Sequence, residues 1–270
     1  MTSKEKQGFA ALAAVITVGM IGYWALRHSK KEAPLPMSSP VAPTAQNEIP
    51  APAAPLYPIP AESELPKETL PADKSPTPHL DESDPSIAGG LRDLFGSDRV
   101  ASLFHLRDIV RRIVVTIDNA PKRQQPAQEF LPIKLPEPGF LVAGSAISPK
   151  NFARYHPYVE LISSVDMAKL AALYIHYYPL FQSAYRDLGS EGYFNDRLIE
   201  VIDHLLDTPN APGAIRVKKP APHYKYKFEM DAFEALSFSQ KILIRIGFEN
   251  AQIVKRQLRH LRKSLAHFKK

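Results

Sequence analysis

The sequence predicts a mainly α protein: one helical-bundle domain, with at most a small β-hairpin, behind an N-terminal transmembrane helix and a disordered proline-rich tether. Three observations predict this. Phe9 to Leu26 (FAALAAVITVGMIGYWAL) is a run of 18 residues without a charge. Of the 26 prolines, 14 fall between Ala33 and Ser86, a stretch that has no glycine and no aromatic ring of Phe, Tyr or Trp except Tyr57. Beyond Asp84, apolar residues recur every three or four positions, the period of a helix with one buried face. The chain divides into a short tail (residues 1–8), the membrane helix (9–26), the tether (33–86) and one helical domain (87–268).

The 18-residue apolar run is about 27 Å long as a helix, enough to cross a hydrocarbon core of about 30 Å. Tyr23 and Trp24 lie at one end, as interfacial aromatics do. Arg27, Lys30 and Lys31 follow at once with no small-x-small cleavage site, so the segment reads as an uncleaved anchor in the lipid bilayer rather than a signal peptide. Lys4 and Lys6 flank the other side, so the positive-inside rule does not set the orientation. By analogy with bacterial envelope anchors, behind which long acidic, proline-rich tethers are common, the domain is expected outside the cytoplasm, on the periplasmic face of a bacterial inner membrane. Charge divides the chain the same way: residues 1–32 carry +3, residues 33–86 carry −6 and the remainder +9, against +6 for the whole. There is no cysteine, which excludes disulfides, thiolate metal sites and cysteine nucleophiles.

The tether favours extended polyproline II, and its expected role is spacing. PLYPIP, Pro55 to Pro60, is its only aromatic-punctuated piece and the one candidate for a groove ligand. In the domain, Asp84-Pro85-Ser86 starts a helix that Gly96 stops. Ser97 can cap the next, whose stripe of Val100, Leu103, Phe104, Leu106, Val110, Ile113, Val114 and Ile117 reads as one continuous helix. Residues 119–149 are irregular, and FLPIKL and GFLVAGSAI are candidates to pair as the hairpin. Asn151 opens a helix to about Ser163. Asp166 caps a longer one along Met167, Leu170, Tyr174, Tyr178, Phe181, Tyr185 and Leu188, with Pro179 inside it and Gly189 ending it.

YFNDRLIEVIDHLLDTP (Tyr193–Pro209) is the stretch around which the domain should pack. Asn195 is the expected N-cap, with Asp196 at the positive end of the helix dipole. Leu198, Ile199, Val201, Ile202, Leu205 and Leu206 fill one arc; Asp196, Arg197, Glu200, Asp203, His204 and Asp207 fill the other. Residues 210–227 read as a loop. Ser237 and Gln240 fit a capping box, and Gly247 separates that helix from the last, Glu249–Phe268.

The strings YYPLFQSAYRDLG, YFNDRLIEVIDHLLDTP and SQKILIRIGFENAQIVKRQLRHLR resemble a family of membrane-anchored proteins from Gram-negative bacteria that is catalogued only as a domain of unknown function. The resemblance covers roughly Leu80 to Leu265. It implies the anchor–tether–domain layout and an envelope setting, and it carries over no functional residues. Relatives are expected to have a proline before the Tyr-Phe-Asn, where this chain has Gly189-Ser190-Glu191-Gly192.

Three groups of residues are candidates for function. Glu200 and His204, at i and i+4 with Asp203 beside them, could form an acid/base site, although Arg197 is positioned to pair with Glu200. Tyr178, Tyr185 and Tyr193 could line a stacking groove. Lys255, Arg256, Arg259, Arg262 and Lys263 form a basic face on the last helix, suited to an acidic partner. No GxSxG, HExxH, Walker, GxGxxG or EF-hand pattern occurs, and no cofactor or metal is implied. No nucleic-acid motif is present. The composition and patterning favour a non-enzymatic module that binds a protein partner or an anionic envelope polymer. The alternative is an enzyme working through Glu200, Asp203 and His204.

Overall fold

The computed structural model describes residues 54–70, 76–124, 126–221 and 225–266. The expected membrane helix, 9–26, lies outside them, as do residues 33–53 and 71–75 of the expected tether. Among the described residues no helix is long and apolar enough to cross a membrane.

Ten α-helices follow one another among the described residues: α1 (Asp84–Phe95), α2 (Ser97–Leu103), α3 (Ile109–Asn119), α4 (Pro149–Ala153), α5 (His156–Ser163), α6 (Met167–Asp187), α7 (Phe194–Leu206), α8 (Asp231–Glu234), α9 (Phe238–Arg245) and α10 (Phe248–Ala266). Four of them make the bundle. α7 packs against α3, α6, α9 and α10, and α10 packs in turn on α5 and α6. The arc expected of α7 is buried at Leu198, Ile199, Val201, Ile202 and Leu205, and Leu206 is half-buried against the same core. Local signals place most ends correctly. Asp166 accepts from the amides of Ala168 and Lys169 at the start of α6. Ser237 and Gln240 close a reciprocal capping box on α9. Gly96, Gly189 and Gly247 all take positive φ at helix ends.

At Gly247 that conformation is indispensable. Its φ is +93°, and a Cβ there would stand 2.7 Å from the Phe152 ring. Gly247→Ala is expected to lower stability by about 1–3 kcal/mol, as a shift in the chemical-denaturation midpoint at unchanged slope. Gly90 has a milder role: in the middle of α1 it leaves room for the Leu173 side chain of α6.

Several expectations are corrected. The stripe from Val100 to Ile117 is not one helix. Phe104 is extended and bridges Ile133, and the chain restarts at α3 behind Asp108, whose φ is +53°. FLPIKL therefore meets Phe104 and does not pair with GFLVAGSAI. The hairpin forms inside GFLVAGSAI itself, between β1 (Val142–Ala143) and β2 (Ala146–Ile147). Residues 210–227 contain another strand, β3 (Val217–Lys218), paired with β4 (Lys227–Phe228). The two hairpins meet at an Ala146–Arg216 bridge. With Ile244 they enclose a small second core of Ile147, Ile215, Val217 and Phe228. Two-residue strands show no alternation to read, which is why the sequence hides them. Asn151 does not open a helix: Ser148 caps α4, and α5 begins separately at His156.

The largest correction concerns the tether. Residues 54–70 and 76–83 do not run free of the domain. Tyr57, Ile59 and Leu65 pack against the main core, Leu80 is buried, and three short 3₁₀ turns (Glu62–Glu64, Lys67–Thr69, Leu80–Glu82) lie along α6. This explains why α6 is buried on nearly all sides, with Ala172, Ile175 and Tyr177 inaccessible as well as the expected stripe. Proline-rich composition sets the local backbone preference, but it does not forbid docking through side chains.

Candidate functional site

The polar arc of α7 is the natural place to look for chemistry, because it gathers Glu200, Asp203 and His204 within two turns. The structure sends each to a different partner. Glu200 is exposed and accepts from Arg197 Nη1 at 2.8 Å. Arg197 also donates from Nε to Asp118 Oδ1 at 3.2 Å and from Nη2 to the Asp118 carbonyl at 2.6 Å, which ties α7 to the end of α3. Asp203 holds Arg262 of α10 in a two-pronged ion pair: Nη2 lies 2.8 Å from Oδ2, and Nε contacts Oδ1. Forked guanidinium–carboxylate pairs fix orientation as well as charge. The hydrogen bond to Asp203 raises the Arg262 pKa above its ordinary value.

His204 turns to a third neighbour. Its Nε2 is 2.8 Å from Ser237 Oγ. A histidine–serine contact suggests a base and a nucleophile, but the surrounding bonds show otherwise. Ser239 Oγ donates to the Ala120 carbonyl at 2.6 Å, so it must accept across its 3.1 Å contact with Ser237 Oγ. Ser237 Oγ also accepts from the Gln240 amide as the α9 cap. With its proton given to Ser239, Ser237 takes the Nε2 proton of His204 in its remaining acceptor position. The order is His204 to Ser237 to Ser239 to Ala120 O. Burial pushes the His204 pKa below its ordinary value, which favours this neutral, donating ring. Ser237 is only 6% exposed and its oxygen is saturated. The arc is thus a seam joining α7 to α3, α9 and α10, and it assembles no acid/base pair. Among the described residues no group of His, Asp and Glu is placed to hold a metal ion.

Tyr185 is built into the core and Tyr178 packs against it. Tyr185 is 9% exposed, with its ring 5.6 Å from that of Phe194. Tyr178 is half-buried and donates to Gln182 Oε1 at 2.7 Å, and Tyr193 is half-buried ahead of α7. Gln182 is a residue that sequence reasoning missed. Its Oε1 also accepts from the Phe194 amide at 2.8 Å and its Nε2 donates to the Gly192 carbonyl at 2.9 Å, so it takes the role expected of Asn195 as cap of α7. Asn195 is instead buried and donates to the Tyr57 carbonyl at 2.8 Å.

The five basic residues of α10 sort into two sets. Lys255 is buried: Nζ donates to the Thr208 carbonyl and to Asn210 Oδ1, capping the C-terminal end of α7. Arg262 belongs to Asp203. Arg256, Arg259 and Lys263 are exposed, at i, i+3 and i+7 on one face. They span about 10 Å of helix. Among the described residues none of the three is in an ion pair, whereas the nearby Arg262, Lys241 and Arg197 all are.

The family described as "Protein of unknown function (DUF3014)" matches residues 109–262, more than half of the chain, and the chain belongs to it. The match runs from the start of α3 into the last turns of α10 and includes the seam and two of the three stripe residues, Arg256 and Arg259. No curated protein matches the chain. No solved structure matches it.

Proposed function

We propose that this member of the family is a non-enzymatic interaction module that takes an acidic partner on the exposed stripe Arg256, Arg259 and Lys263. The observation that carries the reading is the sorting of α10. Its inward cations are spent on the fold, and its outward ones face solvent outside any ion pair among the described residues. Cations displayed in a row raise the local concentration of an anionic ligand and steer it to the helix. The partner is an acidic protein segment or an anionic polymer of the cell envelope. The anchor at residues 9–26 holds the module in the inner membrane of a Gram-negative cell, with the domain outside the cytoplasm. The enzymatic alternative has no comparable support, because Glu200, Asp203 and His204 diverge to separate structural partners.

The test is binding to a polyanion. Poly-L-glutamate should bind the full chain in a salt-sensitive manner. The triple variant Arg256→Glu, Arg259→Glu, Lys263→Glu should lose at least about tenfold in affinity, at about 0.5–1 kcal/mol for each exposed charge. Its thermal unfolding should match the wild type, since none of the three side chains contributes to packing. Equal binding by wild type and triple variant, or binding indifferent to salt, sinks the reading.

A further inference from the structure

The segment PLYPIP is held by a device that the interaction stripe does not use. Asp196 of α7 accepts from two consecutive backbone amides: Leu56 N to Oδ2 at 2.9 Å and Tyr57 N to Oδ1 at 2.8 Å. Asn195 returns a bond to the Tyr57 carbonyl at 2.8 Å. Tyr57 and Ile59 pack on the core behind these bonds, Pro60 is buried, and Leu56 stays 71% exposed. One turn further on, Glu62 meets Nδ1 of the buried His176 at 2.6 Å. Two side chains of α7 thus read the main chain of Leu56 and Tyr57, and one of α6 pairs with the side chain of Glu62. Polyproline-type backbones make no internal hydrogen bonds, so their amides and carbonyls are free to be read in this way.

The floor under the segment is not fully used. Tyr174 Oη, His176 Nε2 and Asn195 Oδ1 are all buried, and among the described residues none has a hydrogen-bond partner. Two of them belong to the α6–α7 surface that residues 55–62 cover: Asn195 holds Tyr57 and His176 holds Glu62, while Tyr174 lies in the adjoining core against Tyr178, Phe181 and Phe194. Buried polar atoms without partners are costly. The two under one segment mark a surface whose polar capacity exceeds what the resident segment supplies.

We propose that the α6–α7 surface is a recognition site for an extended, proline-rich, tyrosine-bearing peptide of another protein, and that residues 55–62 occupy it as a resident competitor. Asp196 and Asn195 read the peptide backbone. The tyrosine and the proline that follow fill the apolar seam. An acidic residue five positions after the tyrosine meets His176. A partner peptide carrying polar groups opposite His176 and Asn195 displaces the resident.

The experiment uses the full chain in detergent and a fluorescein-labelled synthetic peptide of residues 54–66, followed by anisotropy. Tyr57→Ser with Glu62→Ala in the chain weakens the resident and leaves the floor intact. This double variant should bind the peptide at least about tenfold more tightly than wild type, because a larger fraction of its sites is vacant. Adding Asp196→Ala should abolish that binding. If the double variant keeps its helical circular dichroism and binds no peptide, the proposal is overturned. Hydrogen exchange on the wild type gives a check independent of any variant. The Leu56 and Tyr57 amides should exchange by local release, far faster than amides in the middle of α7. Exchange of both only through global unfolding would make the segment a fixed part of the core and overturn the proposal equally.

Discussion

Replacing Phe194 by alanine is expected to cost about 3–5 kcal/mol, the range for deleting a fully buried aromatic side chain. That is a large share of the roughly 5–15 kcal/mol available to a whole domain. Phe194 is the first residue of α7 and is completely inaccessible. Its ring lies parallel to that of Phe181, with centroids 5.7 Å apart and 11° between the planes, and Tyr174 and Tyr185 tilt against it at 6.4 and 5.6 Å. Removing it opens a cavity between α6 and α7, lined by rings that cannot all move inward because all three are fixed along the one helix α6. Urea denaturation followed by far-UV circular dichroism measures the effect. A loss below about 1 kcal/mol would mean that the rings around Phe194 repack freely.

Asn151→Ala is the second large effect, at about 2–4 kcal/mol, through buried hydrogen-bonding groups left without partners. Asn151 is wholly buried. Its Oδ1 accepts from the Leu141 amide at 3.2 Å and from Arg154 Nη1 at 2.7 Å, and its Nδ2 donates to the Arg245 carbonyl at 3.0 Å. One side chain therefore joins the β1–β2 hairpin, α4 and the end of α9. Alanine strands an amide, a guanidinium and a carbonyl together, which is worse than removing a matched pair. Asn151→Asp separates the contributions: it keeps the acceptor for Leu141 and Arg154, loses the bond to Arg245 and turns a carboxylate oxygen toward that carbonyl. It should be less damaging than alanine in the same denaturation experiment. Equal losses for the two would assign the effect to the Arg245 carbonyl alone.

These two residues differ in how far the sequence reveals them. Phe194 lies beside the apolar arc of α7, and its burial follows from the helical period. Asn151 offers only a residue type that favours turns and caps, and its place three residues past Ser148 suggested the start of a helix. The three bonds that define it reach 3, 10 and 94 residues along the chain, and no local pattern encodes the last. The candidate site shows the same division. Arg197 and Glu200 are three residues apart and pair as their spacing suggests. Asp203 and His204 looked like surplus acid and a free base. They are explained only by Arg262, 59 residues away, and by Ser237, 33 residues away.

By itself the sequence determined the helical class, the apolar arc of α7, the caps at Asp166 and Ser237, and the stops at Gly96, Gly189 and Gly247. Each of these depends on a period of about 3.6 residues or on the few residues around a helix end. The tertiary structure alone decided which polar groups distant in sequence meet. It made Gln182 rather than Asn195 the cap of α7, turned Lys255 and Arg262 inward while leaving Arg256, Arg259 and Lys263 outside, and laid Pro55 to Glu62 across Asn195 and Asp196. The physical reason is that a buried donor or acceptor must be satisfied, but any partner of suitable chemistry will serve. Which one arrives is set by the packing of helices far apart in the chain.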